Sequence, residues 1–163
     1  MYFKQVEEIA TGRKTCTQRV MKDGDYVHRV DEAPFGAITS VCDVNTRLKW
    51  QVGLDYAVSP GRGKRTAMVL WHWLRPTEIV TYRLPETAQV AETLASQCGY
   101  KPLRIRITAI ERVRLHDMDE RVALAEGVGS VAEYEALWRT INATPGTRWE
   151  DNPLVWRLWF EVA

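Results

Sequence analysis

The segment Gly12-Arg13-Lys14-Thr15-Cys16-Thr17-Gln18-Arg19 gathers an amine, a hydroxyl and a guanidinium on one short stretch. A Lys at a partly buried turn can shed its proton, because desolvation disfavours the ammonium form. The neutral amine can then activate a nearby hydroxyl as a nucleophile. Arg19 follows Thr17 on the same strand face, where its planar fork can hold an anion or the edge of a base. A solvated basic strand, with Thr chosen for β-propensity, has the same composition. Lys14 and Thr17 are three residues apart, so a regular strand would point them to opposite faces. The chemistry therefore needs Lys14 in the turn after Gly12. Backbone N–H groups between Gly12 and Thr15 would then be placed to receive an oxyanion. A second group is Glu126, at the end of a helix predicted over 117–126. The negative end of the helix dipole favours the neutral acid there, the form a general acid needs. An exposed Glu at a frayed helix end is the other reading.

The remaining signals concern charge. The chain carries 22 Lys+Arg and 21 Asp+Glu, a net of +1, which excludes a strongly basic nucleic-acid coat and an acidic disordered tail. The sum hides local bias. Residues 60–75 hold Arg62, Lys64, Arg65 and Arg75 with no acid, and residues 101–114 hold Lys101 and four Arg against Glu111. Residues 115–135 are acidic. Basic segments of this kind can meet phosphate, or they can pair with the acidic helices. Gly61-Arg62-Gly63-Lys64-Arg65-Thr66 is not a P-loop, since Val58 stands where the first glycine belongs. His28, His72 and His116 lack ligand spacing, and Cys16, Cys42 and Cys98 lack that of a disulfide framework or zinc site. No metal or cofactor is expected. Free cysteines and a polar start point to the cytoplasm, and no apolar run approaches a membrane span.

The elements that would position these groups follow from periodicity. The 163 residues suit one domain. Residues 4–11 read as a short helix ended by Gly12. Strands are expected over 15–21, 26–30, 36–42, 48–58, 67–73, 103–115 and 154–162, with Gly53 as a bulge in the fourth. Residues 86–98 read as a helix. Asp117 and Glu120 have capping-box spacing at the head of 117–125, and Ser130 and Glu133 repeat it before 131–142. In that last helix Tyr134, Leu137, Trp138 and Ile141 recur on one face. Seven Trp are many for this length, and most read as packing. Several short strands with a few helices and no βαβ alternation give an α+β fold.

The segment GRKTCTQR resembles the GxKxxTxR signature of the ASCH domain, of the PUA-like superfamily. The later pieces agree in order: the RIRITAIERVRL strand, the Ala125-Glu126-Gly127 helix end, the SVAEYEALW helix and the Asn152-Pro153 strand. The resemblance covers most of residues 1–65 and 103–163. Residues 66–101 depart from it and read as an insertion. It implies a small, mostly antiparallel PUA-like β-barrel with flanking helices. It also implies hydrolysis of the amide in N(4)-acetylcytidine and related N(4)-acylcytosines by a Lys, Thr and Glu set, which falls on Lys14, Thr17 and Glu126. Arg19, Arg62 and Lys64 would bind the substrate, a small nucleoside. Other members are RNA-binding and some are ribonucleases, so binding of single-stranded RNA or a modified base is the alternative.

Overall fold

The strand β12 (Leu154–Val162) carries large apolar side chains on both faces. Val155, Trp156, Leu158 and Phe160 are all buried. A strand with two apolar faces belongs in the middle of a sheet, and β12 lies between β2 (Cys16–Val20) and β11 (Arg104–Arg114). The computed structural model describes residues 2–3, 5–31, 36–60, 67–72, 75–83, 97 and 99–163. Arg62, Lys64 and all of the predicted 86–98 helix except Gln97 therefore fall outside the described residues. The fold is α+β with a mostly antiparallel sheet. Among the described residues its ladder does not close into a ring.

The chain divides into two compact units. One comprises Met1–Arg13, Asp55–Arg106 and Glu161–Ala163; the other comprises Lys14–Leu54 and Ile107–Phe160. In the first unit α1 (Val6–Ala10) buries Ile9, and Gly12 leaves the helix with φ +73°. β1 (Tyr2–Phe3) runs parallel to β7 (Ser59–Pro60). β8 (Ala67–His72) lies between β9 (Arg75–Arg83) and β10 (Tyr100–Pro102), antiparallel to both. β6 (Asp55–Ala57) pairs with Arg104–Arg106. There Arg106 makes a two-pronged ion pair with Asp55 at 2.7 and 3.1 Å. Arg106 of this basic strand thus meets an acid on the neighbouring strand.

The second unit holds the order β2-β12-β11-β4-β3, with β4 at Ile38–Cys42, β3 at Tyr26–Val30 and β5 (Leu48–Gln51) added to β4. The predicted strand over 48–58 is instead two strands. A turn at Val52–Gly53 ends β5, and Gly53 takes φ +84°, donating its N–H to Ile107 O at 2.8 Å. Alternation in the sequence runs straight through this break because both strands keep a period of two. The helix α2 (Glu120–Ala125) is capped by Asp119, whose side chain accepts from the Val122 N–H. Asp117, the expected cap, accepts from the Arg114 N–H instead. The helix α3 (Val131–Ile141) starts at Ser130 as its sequence predicts. It turns Tyr134 and Trp138 into a core with Leu115, Ala123 and Val155, while Ile141 stays half exposed.

Asp25 closes the β2–β3 turn and is buried. Its carboxylate accepts from the Lys22 N–H at 3.0 Å, the Trp156 indole N–H at 3.1 Å and the Lys49 ammonium at 2.5 Å. Burial alone would raise the affinity of this carboxyl for a proton; Lys49 and the two N–H donors outweigh it and hold the group below its usual range. A carboxyl depressed in the folded state contributes stability above its unfolded value, near pH 4, and loses it as pH falls through the folded value. Asp25→Asn is expected to cost about 2 kcal/mol at neutral pH, less than a sealed pair because Lys49 reaches solvent. Urea denaturation should show that deficit vanishing in strong acid, where both proteins carry a neutral side chain.

Candidate active site

Lys14 does not lie in the strand. Residues 11–13 form a turn, Lys14 and Thr15 follow it, and β2 begins at Cys16. Two backbone bonds fix this link. The Thr15 N–H donates to Ala125 O at 2.8 Å, at the end of α2, and Thr15 O accepts from the Phe160 N–H at 2.9 Å. The first bond brings Lys14 beside the residue that follows the helix. That residue is Glu126, which caps α2 before Gly127 turns away with φ +83°.

Lys14 and Glu126 form an ion pair through Nζ and Oε2, with each side chain only 4% exposed. Lys14 Nζ also donates to the backbone oxygen of Glu126 at 2.6 Å. The other carboxylate oxygen, Oε1, accepts from the Gln18 N–H at 2.5 Å and from the Tyr134 hydroxyl at 3.2 Å. Gln18 is on β2, an edge strand, so the carboxylate docks on the side of the strand that β12 leaves unpaired. This edge is closed by a helix end carrying an acid, which also prevents further strand pairing there. Glu126 is thus not an exposed residue at a frayed end.

Thr17 is buried in β2 directly opposite Leu158, and Arg19 follows on the same face opposite Trp156. The Thr17 hydroxyl makes no hydrogen bond among the described residues. Burial pulls the Arg19 guanidinium below its usual range, while the negative charge of Glu126 and the Tyr134 oxygen oppose that shift. Burial, and then the nearby Glu126, push the Cys16 thiol far above its usual range, against the pull of Lys14 and Arg157. A thiol held neutral is a poor nucleophile, which leaves the Thr17 hydroxyl as the one available on this strand. The Gly12 N–H is used by Ile9 O and the Thr15 N–H by Ala125 O. The N–H groups of Arg13 and Lys14 make no hydrogen bond among the described residues.

The structure therefore joins Lys14 to Glu126 across 112 positions of sequence, and places Thr17 and Arg19 on the strand that Glu126 caps. Tyr134 and Gln18 were not anticipated. Tyr134 fits an apolar helix face by spacing, and its hydroxyl was the clue, because a buried phenol oxygen needs a partner. Among the described residues no three His, Cys, Asp or Glu side chains cluster as a metal site would. An open cavity of about 520 Å³ is lined by Val20–Gly24, Arg114, Gly146, Asp151, Pro153 and Leu154. None of the cluster residues borders it. No helix among the described residues is long and apolar enough to cross a membrane.

No protein-family model matches the sequence, and no curated protein matches it either. The chain is similar to two solved structures. One is an ASCH domain from Lactobacillus crispatus JV V101, at 16% identity and a TM-score of 0.49, over 96% of this chain and 68% of that one. The other is a protein from Enterococcus faecalis V583 of the family DUF984, at 15% identity and a TM-score of 0.47, with the same coverage.

Proposed function

We propose that this protein is an amidohydrolase acting on N(4)-acylated cytosine nucleosides, with Thr17 as nucleophile, Lys14 as its base and Glu126 as general acid. The observation that carries this reading is the buried Lys14–Glu126 pair, docked on the strand that bears Thr17. A buried ion pair is a weak source of stability, and titratable groups paired in the interior cluster at functional sites. The family resemblance of GRKTCTQR supplies the substrate class.

The pair is one proton transfer from the reactive form. Moving the shared proton from Nζ to Oε2 converts ammonium and carboxylate into amine and carboxylic acid with no change in net charge. The amine of Lys14 takes the hydroxyl proton of Thr17 as Oγ1 bonds to the acyl carbon. The Lys14 N–H, which makes no hydrogen bond among the described residues, would receive the oxyanion. As the tetrahedral intermediate collapses, the bond from the acyl carbon to N4 breaks and Glu126 gives its proton to N4. The Lys14 proton then passes again to Glu126; water attacks the acyl ester with the neutral Lys14 as base, and as the carboxylic acid leaves Glu126 returns its proton to Thr17 Oγ1, which restores the resting state. Arg19, which follows Thr17 on the same face of β2, would hold the base.

The test is incubation with N(4)-acetylcytidine, followed by the ultraviolet change as cytidine forms. Turnover is expected without added metal. An inert wild-type protein, folded by circular dichroism, sinks the reading. Binding of RNA or a modified base is the competing function, and its proposed contacts Arg62 and Lys64 lie outside the described residues.

A further inference from the structure

We infer that Tyr134 is a positioning residue that decides which oxygen of Glu126 carries the working proton. The inference rests on the function proposed above and concerns a residue that the signature does not contain. The two carboxylate oxygens have different surroundings. Oε1 faces two donors, the Gln18 N–H and the Tyr134 hydroxyl. An oxygen receiving two donors has no lone pair directed at a third hydrogen in its plane. Oε2 faces Lys14 Nζ. The carboxylic acid is therefore formed on Oε2, where the proton arrives from Lys14.

Tyr134 can hold this arrangement because it is itself fixed. It sits on α3 only 4% exposed, with its ring against Trp138 at 6.0 Å and Trp149 at 6.4 Å between centroids. Burial and the adjacent Glu126 push the phenol far above its usual range, so it stays a donor throughout the working pH range. The charged and titratable groups around the contact are Lys14 in the link before β2, Cys16 and Arg19 on β2, and Glu126 at the end of α2, with Arg157 and Glu111 near Cys16. When Glu126 releases its proton to N4, negative charge grows on the carboxylate. A donor already aimed at Oε1 stabilises that charge without reorganising.

Tyr134→Phe removes the donor and keeps the ring. With the side-chain carboxyl carbons of Glu labelled, the Glu126 carboxyl resonance is compared by NMR at one neutral pH in wild type and variant. In the variant the resonance is expected to move, because one of the two donors to Oε1 has gone. On N(4)-acetylcytidine kcat is expected to fall about tenfold with KM unchanged, since Tyr134 acts through Glu126. Trp138→Phe perturbs the same helix and loses the indole bond to Thr147 O, but should leave the Glu126 resonance in place. A Glu126 resonance in Tyr134→Phe that superimposes on wild type, or a displacement of the same size in Trp138→Phe, overturns the inference. Absence of turnover in wild type would instead strike the parent function, because the NMR arm reads Tyr134 without any reaction.

Discussion

Lys14→Met is expected to destabilise the protein by about 3–5 kcal/mol, because it leaves the Glu126 carboxylate buried without its counter-ion. The pair is sealed, at 4% exposure on both sides, so little solvent is available to replace the ammonium. The loss is not the net worth of the pair. Adding Glu126→Gln to Lys14→Met should recover most of it, since a neutral amide can still accept from the Gln18 N–H and the Tyr134 hydroxyl at Oε1. The double-mutant cycle in urea thus separates a large coupling from a small total contribution. Both variants should be inactive on N(4)-acetylcytidine, including the double mutant whose stability has returned. An ion pair kept only for stability would behave differently, with activity following the recovered fold. Equal stability of Lys14→Met and wild type would falsify the sealed pair itself.

Parts of this site are legible in the sequence because they depend on local rules. Gly12 as the left-handed exit from α1 ends the helix before Lys14, which lies in the link ahead of β2, so strand alternation does not govern its spacing from Thr17. The helix before Gly127 puts a carboxylate at a helix end for the same kind of reason. The union of these two ends is not local. It depends on the Thr15–Ala125 backbone bond, between segments whose separation no periodicity measures. Tyr134 was hidden by a pattern that is correct: it does lie on the buried face of α3, and spacing alone does not say that its hydroxyl reaches Glu126. The cap of α2 was misplaced by two residues because Asp117 and Asp119 are the same residue type, and the strand end at Arg114 takes the first of them. The 48–58 strand fails for another reason. Alternation records burial on either side of a turn and is blind to the turn unless its glycine is read as φ-positive and not as a bulge.

Thr17→Val separates chemistry from folding most cleanly. Valine has the shape of threonine with a methyl for the hydroxyl. The Thr17 hydroxyl makes no hydrogen bond among the described residues, so its loss orphans no partner. Its opposite number across the strands is Leu158, fully buried and apolar. Stability should therefore change by less than about 1 kcal/mol, and a small gain is consistent with the site. Activity should fall by at least ~10³-fold, since the proposed nucleophile is gone. Thr17→Ser keeps that atom and should retain turnover within about tenfold, the cost arising from the looser rotamer of a side chain without β-branching. Mass analysis of a rapidly quenched reaction should find an acyl adduct on the peptide carrying Thr17 in wild type and in the Ser variant, and none in the Val variant. Full turnover by Thr17→Val would remove the nucleophile and with it the covalent route, leaving Lys14 and Glu126 to activate water directly. The stability measurement makes the comparison fair: a variant as stable as wild type that has lost its rate has lost a reacting atom and not a fold.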